Sequence, residues 1–403
     1  MPDRPFDAMV LGVGAMGAAA CYHLAQRGLC VVGLEQFDLC HDRGSSQGRS
    51  RVFRKAYFED PRYVPLLHEA YEAWGRLERE TGQTLLNFVG CLNIGRPDHP
   101  CIRGVRASVT QHGLAHEVLS AEEVRRRHPA FEPPPDHVAV YEADAGYLCP
   151  EDCVRAMADL ARRAGAELRE RTVVRSWRAL KPVGAGGADV RVETDNGPIE
   201  AGALVITAGA WLPTVAAELG LPLTVERQVQ AWFAPKIPTH FVPESMPVFI
   251  HFLDGDAAAG GGDMHMPGAN ARNLAGAFYG ICDHGHGVKI ARHHGGAATT
   301  ADAVDRAVHP ADEADIRRYI RAHMPTADGP LRDAQVCLYT NTPDDHFMID
   351  RHPLHKNVFI AGGFSGHGFK FAPVVGEALA DLVTIGRSRL PGELFAIGRF
   401  AAK

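Results

Sequence analysis

A glycine-rich turn near the start of the chain, between a strand and a helix, constrains the fold more than any other feature. Residues 8–11 are apolar and favour a strand, and residues 15–27 are rich in alanine and favour a helix. Gly12, Gly14 and Gly17 follow G-x-G-x-x-G spacing across this junction. Glycines there permit a tight turn, close approach of the backbone to a pyrophosphate, and close helix–strand packing. The segment therefore predicts a dinucleotide-binding site; the alternative is a purely structural turn.

The residues that follow support a dinucleotide site. Gly28 is placed to end the helix, residues 30–34 have the composition of a second strand, and Glu35 closes that strand. The N-terminus of the helix offers unpaired N–H groups and a positive dipole end to phosphates. A carboxylate at the position of Glu35 can accept a hydrogen bond from a ribose 2′-hydroxyl. This favours a cofactor with an unphosphorylated adenosine, such as FAD or NAD.

Length and composition indicate a globular enzyme of two domains. A chain of 403 residues exceeds the size at which one hydrophobic core keeps growing. Its net charge of -6 gives no electrostatic reason for a nucleic-acid or acidic-membrane partner.

The nine cysteines include no C-x-x-C pair and no zinc-ligand spacing, which is typical of a reducing compartment. No run of apolar residues is long enough to span a membrane, and the first strand begins too early to leave room for a signal peptide. We therefore expect a cytoplasmic protein with no nucleic-acid, membrane or metal partner.

The order of predicted elements indicates an α/β fold with a discontinuous first domain. Helices are predicted at residues 63–81, 120–128, 150–164 and 371–385, and strands at 87–94, 167–174, 203–209 and 358–361. The strand at 203–209 is apolar throughout, as in a parallel sheet buried on both faces, although it lies far from the first strand. We therefore expect a Rossmann-like domain built from residues 1–80, 145–215 and 325–403. Residues 81–144 and 216–324 would form a second domain with a mixed or antiparallel sheet.

Residues 254–273 resist assignment because glycine, alanine and asparagine dominate them without a helical or strand period. We expect a loop there, and a lid and simple disorder remain equal alternatives.

Several sequence blocks together resemble one enzyme family. They are GSSQGRSR at 44–51, RKAY at 54–57, GVKI at 287–290, VCLYTNTPD at 336–344 and GFSGHGFK at 363–370. In this order the blocks resemble the monomeric sarcosine oxidase and N-methyltryptophan oxidase family of FAD-dependent amine oxidases. The likeness is greatest to its L-pipecolate and sarcosine oxidase branch, and it is weakest at residues 240–275.

The resemblance implies a cofactor and a set of site residues. FAD would be attached covalently through Cys337, and the second domain would cover its ring. Further residues expected to contact the cofactor are Ser45, Ser50, Arg51, Gly363, Gly366, Gly368 and Lys370. Lys289 would lie over the flavin and speed the reaction with oxygen. Arg54 and Lys370 would hold a substrate carboxylate, and Tyr279, His293 and Tyr339 would form the pocket wall near the amine.

Some of these residues could instead have a purely structural role. Cys337 could be a small buried hydrophobe, Lys289 a surface lysine, and His293 a structural histidine. For Arg49 we favour a solvated loop position. Gln47 departs from the family, where a histidine is common, so the hydrogen bonds beside the flavin are expected to differ.

The resemblance predicts an oxidase of secondary amino acids that acts as a monomer. The amine would become an imine, and oxygen would become hydrogen peroxide. The alternatives are a flavin dehydrogenase with a different electron acceptor and an oxidase for a bulkier secondary amine.

Overall fold

The computed structural model describes residues 6–180, 189–253 and 276–400. The segment 254–273 discussed above lies outside the described residues. The strands are β1 Phe6–Leu11, β2 Val31–Leu34, β3 Arg51–Phe53, β4 Leu86–Phe88, β5 Cys91–Gly95, β6 Glu117–Ser120, β7 Val138–Glu142, β8 Gly146–Leu148, β9 Glu167–Arg169, β10 Val174–Ala179, β11 Val190–Thr194, β12 Gly197–Ile206, β13 Thr224–Phe233, β14 Val248–Phe252, β15 Phe278–Ile281, β16 Val288–Arg292, β17 Ala298–Thr299, β18 Leu331–Asn341, β19 Met348–Arg351 and β20 Val358–Gly362. The α-helices are α1 Ala15–Gln26, α2 Val64–Thr81, α3 Pro100–His112, α4 Ala121–Arg127, α5 Pro150–Arg163, α6 Leu212–Val215, α7 Pro310–His323, α8 Ala372–Ile385 and α9 Gly392–Phe395.

The first sheet brings together strands from both ends and the middle of the chain. Its eight strands include the path β10-β11-β12-β1-β2-β9, with β20 beside β12 and β19 beside β20. The central pairs β2–β1, β1–β12 and β12–β20 are all parallel. These strands are apolar because helices cover the sheet: α1 packs against both α5 and α8. The α/β fold expected from the sequence, with a discontinuous dinucleotide-binding sheet, is therefore confirmed.

The second sheet is mixed, as expected. Its nine strands include the path β17-β13-β16-β15-β14-β5-β7-β6, with β18 also paired to β13. The pair β14–β5 is parallel, whereas the pairs of β13 with β16 and β18 are antiparallel. A small antiparallel sheet, β3-β8-β4, is the third. The domain boundaries remain a prediction, but β18 hydrogen-bonds in the second sheet although the sequence placed residues 325–403 in the first domain.

Two predicted strands were wrong because the chain turns within them. Residues 87–94 form parts of β4 and β5, which belong to different sheets, with Gly90 in the left-handed region between them (φ 78°). Residues 167–174 are divided between β9 and β10, and Arg171 has φ 52° at the break. A positive φ reverses the local chain direction, so a single extended run cannot pass through either position.

The predicted helices agree closely with the observed ones. The helix expected at 120–128 is α4, and it begins with the predicted capping box: Ser120 Oγ accepts from the Glu123 amide, and the Glu123 carboxylate accepts from the Ser120 amide. None of the helices in the described ranges has the length and apolar character needed to cross a bilayer.

Candidate functional site

A cavity of about 480 Å³ extends from the glycine turn after β1 to the turn after β20, and both large sheets contribute to its walls. This volume lies in the usual range for small-molecule sites. Of the residues predicted for the site, Gly17, Ser50 and Lys289 lie outside the cavity lining and all the others line it. The lining set is Gly12, Gly14, Glu35, Ser45, Arg51, Arg54, Tyr279, His293, Cys337, Tyr339, Gly363, Gly366, Gly368 and Lys370.

The glycine turn has no room for side chains. Gly12 has φ 89°, and a Cβ on it would lie 2.7 Å from the carbonyl oxygen of Thr207. A Cβ on Gly17 would lie 1.8 Å from the carbonyl oxygen of Gly12, so α1 approaches the turn this closely only with glycine there. Gly14 is the N-cap of α1 and borders the cavity. The backbone of this turn therefore forms a cradle, as the spacing predicted.

Glu35 joins the glycine turn to the end of β2. Its Oε2 accepts a hydrogen bond from the Val13 amide at 3.0 Å, and its Oε1 accepts from the Phe37 amide at 3.1 Å. An ionised carboxylate has about four acceptor positions, so these two bonds leave capacity for a ligand hydroxyl. His41 and Trp211, which the sequence did not single out, line the cavity near Glu35.

Arg51 contacts the thiol of Cys337 at the cavity wall. Arg51 Nη2 lies 3.7 Å from Cys337 Sγ, and the same nitrogen donates to the carbonyl of Ser45 at 2.9 Å. The guanidinium also bonds the Gln47 carbonyl. Cys337 lies in β18 and is 1% exposed. The thiol therefore lies beside a fixed cation in the cavity wall.

Lys289 lies behind this wall, where it is fully buried. Its Nζ donates to the carbonyls of Gly48 and Ser50, each at 2.8 Å. The rings of Trp232 and Tyr279 lie 5.4 and 5.9 Å from Nζ. Burial is the largest influence and lowers the pKa of Lys289 well below its ordinary value.

Arg54 is held in a buried ion pair that the sequence did not reveal. Its Nη2 lies 3.0 Å from both carboxylate oxygens of Glu59, and Nη1 donates to the Ala56 carbonyl. The guanidinium also lies over the rings of Tyr57 and Phe58, at 4.5 and 4.6 Å. Arg54 therefore has a counterion within the protein, and a substrate carboxylate would compete with Glu59 for it.

Lys370 is the second cation at this end of the cavity. Its Nζ donates to the His367 carbonyl at 2.8 Å and lies 5.2 Å from the centroid of the Tyr57 ring, which Arg54 also contacts. Burial, with a further contribution from Arg54, lowers the pKa of Lys370 to about 7. The two predicted clamp residues are thus brought to the same aromatic ring.

Three aromatic side chains expected near the amine form one cluster. His293 Nδ1 and the Tyr339 hydroxyl are 3.1 Å apart, and the Tyr279 and His293 rings meet edge to face with centroids 6.0 Å apart. Burial raises the pKa of Tyr279 to about 12 and lowers the pKa of His293 well below its ordinary value. This wall is therefore uncharged at neutral pH.

A Tyr57–His367 pair supports the clamp, although the sequence motif did not show its role. The Tyr57 hydroxyl and His367 Nδ1 are 2.6 Å apart, and His367 Nε2 is 2.9 Å from the Asp345 carbonyl. Because a carbonyl only accepts, Nε2 carries the proton and Nδ1 accepts from Tyr57. The turn that carries His367 closes against Tyr339, since a Cβ on Gly366 would lie 2.4 Å from that ring.

The residues present fit an FAD molecule. The glycine cradle and the spare acceptor capacity of Glu35 suit the pyrophosphate and ribose. Farther along the cavity, Thr340 Oγ1 is buried and has no hydrogen-bond partner among the described residues. A buried hydroxyl without a partner is costly, and a ligand would satisfy it. Within the residues that the structure describes, no group of three or more His, Cys, Asp or Glu side chains is arranged to hold a metal ion.

Comparisons with known proteins agree with this geometry. A family model described as FAD dependent oxidoreductase, DAO, matches residues 7–382. The chain is 42% identical over 399 residues to the monomeric sarcosine oxidase of Streptomyces avermitilis, with 98% of each chain covered. It is 30% identical over 404 residues to the N-methyl-L-tryptophan oxidase of Yersinia pestis, covering 98% of this chain and 99% of that protein. Its fold is similar to the open form of NikD, an unusual amino acid oxidase, with a TM-score of 0.82, 22% identity, and 98% and 97% of the two chains covered.

Proposed function

This chain belongs to the DAO family of FAD dependent oxidoreductases, and on that premise we propose that it oxidises a small secondary amino acid and reduces O2 to H2O2. Sarcosine and L-pipecolate are the first candidates, and sarcosine would yield glycine and formaldehyde after hydrolysis of the imine. The observation that carries the proposal is the pair of buried cations, Arg54 and Lys370, lining the same cavity as the glycine cradle. Two cations beside the uncharged aromatic wall suit a carboxylate, which would replace Glu59 as the partner of Arg54.

The cations bind the substrate carboxylate by exchange with Glu59. In the absence of substrate, Glu59 neutralises Arg54 within the protein. An incoming carboxylate takes over the Arg54 guanidinium and gains the Lys370 ammonium as a second partner. Arginine supplies the planar fork that matches two carboxylate oxygens, and lysine supplies a point charge. This orientation directs the amine end of the substrate toward the aromatic cluster.

The aromatic cluster and the cofactor complete the site. FAD would be held in this cavity by the glycine cradle and Glu35, and it would supply the two-electron oxidation of the amine and the transfer of those electrons to O2. Tyr279, His293 and Tyr339 line the cavity and add no positive charge, because burial keeps His293 neutral. An uncharged wall favours the neutral amine, which is the form that can be oxidised.

Lys289 is proposed to promote the reaction with oxygen. A fixed cation stabilises negative charge that develops on oxygen as it accepts electrons. Lys289 lies behind Arg51 and Tyr279, which line the cavity, and is rigidly held by two carbonyls. Because Lys289 is fully buried, its charge would act on the cavity through a low-dielectric medium, in which electrostatic interactions are strong.

We also propose covalent attachment of FAD through Cys337. The support is its position in the cavity lining and the Arg51 guanidinium 3.7 Å from its sulfur. A thioether bond would prevent loss of the cofactor and raise its oxidising power.

The test is peroxide release in air by the purified flavoprotein with sarcosine, L-pipecolate, L-proline and N-methyl-tryptophan. Peroxide release with any of these substrates that is lost in the Arg54→Met variant supports the proposal. The ranking of the four substrates indicates the size of the pocket. Reduction of an artificial electron acceptor without peroxide would instead identify a dehydrogenase. No turnover with any of the four would overturn the assignment to small secondary amino acids.

A further inference from the structure

The position of Lys289 depends on one short turn. Both of the acceptors that hold its Nζ are backbone carbonyls, those of Gly48 and Ser50, and the Ser50 carbonyl also accepts from Arg51. The hydrogen bonds that hold the ammonium group therefore depend on the conformation of residues 48–50. The rings of Trp232 and Tyr279 also face Nζ, but a flexible four-carbon chain needs these hydrogen bonds to fix its ammonium group in one position.

This turn has an unusual backbone that requires external support. Gly48 has φ 103° and Arg49 has φ 65°. A non-glycine residue such as Arg49 rarely adopts a positive φ unless its surroundings impose it. Within the turn the Ser50 amide donates to the Gly48 carbonyl at 2.7 Å, whereas the Gly48 and Arg49 amides donate to a side chain of helix α5.

The carboxylate of Glu151, in the first turn of α5, receives both amides. Glu151 Oε1 accepts from the Gly48 amide at 2.7 Å and from the Arg49 amide at 3.1 Å, and Oε2 lies 3.2 Å from the Arg49 amide. The helix N-terminus favours an acidic side chain at this place. One carboxylate thus ties the turn to helix α5 through two amides, while the carbonyls of the same turn hold Lys289.

We propose that Glu151 is a positioning residue for Lys289: its carboxylate holds the 48–50 turn so that two carbonyls converge on Nζ. The inference rests on the proposed function, because a fixed cation at Lys289 matters only if the reduced enzyme reacts with oxygen. Glu151 does not touch substrate or reacting atoms, and it acts through the turn.

The charge balance around Lys289 makes this support measurable. Burial lowers the pKa of Lys289, Arg51 and Arg49 lower it further, and Cys337 and Glu151 raise it. Tyr279 and Trp232 face Nζ from the neighbouring strands, and burial raises the pKa of Tyr279, so that it stays neutral. Removing Glu151 therefore takes away one of the two named influences that favour the charged lysine.

The experiment compares Glu151→Ala and Glu151→Gln with Asp152→Asn, a matched control. Asp152 is an exposed acid in the same first turn of α5, so its change removes the same charge without touching the turn. Each holoenzyme is reduced anaerobically with substrate and mixed with oxygen in a stopped-flow instrument between pH 6 and 9. Hydrogen exchange of the peptide covering residues 44–54 is measured in parallel by mass spectrometry.

The expected result has three parts. In Glu151→Ala the oxygen reaction slows between about tenfold and a hundredfold, as expected when a fixed group is misplaced, while reduction by substrate changes little. The oxygen reaction is expected to slow as rising pH removes the proton from Lys289. In Glu151→Ala this slowing occurs at lower pH than in the wild type, because the ammonium form is less favoured. The Gly48 and Arg49 amides exchange faster in Glu151→Ala than in the wild type. Glu151→Gln has oxygen-reaction and exchange rates between those of Glu151→Ala and the wild type, and Asp152→Asn has the rates of the wild type.

Different outcomes separate the two proposals. If the wild-type reduced enzyme reacts slowly with oxygen, the proposed oxidase function fails. If it reacts rapidly and Glu151→Ala has the same rate, pH profile and amide exchange, only the role of Glu151 is overturned. Faster amide exchange with an unchanged pH profile would also overturn it, because Glu151 would then be merely structural.

Discussion

Arg54 and Glu59 form an ion pair inside the protein, with Arg54 Nη2 3.0 Å from each Glu59 oxygen and both side chains almost completely buried. Arg54 is the residue proposed to bind the substrate carboxylate. The proposed binding group is therefore already neutralised by Glu59 inside the protein. Glu59 stabilises the buried guanidinium, and we expect it to compete with any external carboxylate for Arg54.

Glu59→Gln is expected to tighten the binding of carboxylates and to destabilise the free protein. Removing one partner of a buried ion pair costs about 3 kcal/mol, and part of that energy is recovered when a ligand carboxylate replaces Glu59. We expect the Kd of propionate to fall by about tenfold, equivalent to about 1.4 kcal/mol. Perturbation of the flavin absorbance measures Kd, and thermal unfolding with and without propionate measures stability.

Asp60→Asn is the matched control for Glu59, because Asp60 pairs with Arg62 at the surface. It should leave both the Kd and the midpoint of unfolding nearly unchanged. Weaker propionate binding in Glu59→Gln would show that Glu59 supports Arg54 rather than competing with substrate.

The pKa of Lys370, lowered to about 7 by burial, predicts that carboxylate binding weakens as pH rises. The ammonium form binds the carboxylate, and it is lost in the free protein above pH 7. The Kd of propionate, which has no amine of its own to titrate, should rise by up to about tenfold per pH unit above 7. His293 and His367 do not interfere, because burial holds the pKa of each well below 6.5.

Lys370→Met should remove this pH dependence and weaken binding at pH 6 by about tenfold, the usual effect of losing a hydrogen bond to a charged group. A wild-type Kd that is constant between pH 6 and 9 would contradict the assignment of Lys370 to the clamp.

Cys337→Ser is expected to leave FAD bound without a covalent bond. Acid precipitation should then release the yellow colour into the supernatant, whereas the wild-type pellet should retain it and carry the mass of one FAD. Cys40→Ser is a suitable control, because Cys40 also lines the cavity but is only half-buried. Release of the yellow colour from the wild type, or from Cys40→Ser but not from Cys337→Ser, would exclude attachment of FAD through Cys337.

Gly17→Ala is expected to abolish FAD binding, since its Cβ would lie 1.8 Å from the Gly12 carbonyl oxygen. The glycine cradle or α1 must move to accommodate it. Gly75→Ala tests the same substitution in a permissive place: a Cβ there meets only the flexible end of Arg79 at 3.4 Å, within α2. That variant should bind FAD normally and gain about 0.5–1 kcal/mol of stability. Measurement of flavin content after purification checks both, and normal flavin content in Gly17→Ala would show that the turn can relax.

The sequence was a reliable guide where function depends on local chemistry. The spacing of Gly12, Gly14 and Gly17 predicted a cradle, and the structure has it. The motif around Cys337 predicted the family, and the relatives confirm that resemblance. The failures occurred where a single residue turns the chain. Gly90 is a glycine, which can signal such a break inside a strand pattern, whereas Arg171 gives no sign of its positive φ in the sequence.

Residue types and local conformation can be inferred from the sequence: the glycine turn, the helices, the buried strands and the cations proposed to bind a carboxylate. The partner of each buried cation is known only from the tertiary structure. Arg54 pairs with Glu59, Lys370 donates to the carbonyl of His367, and Lys289 donates to carbonyls of the 48–50 turn, which Glu151 holds from helix α5. The physical reason is that burial makes an unpaired charge costly, so each buried cation takes whatever partner the folded chain places beside it. Sequence spacing carries no record of partners brought from elsewhere in the chain.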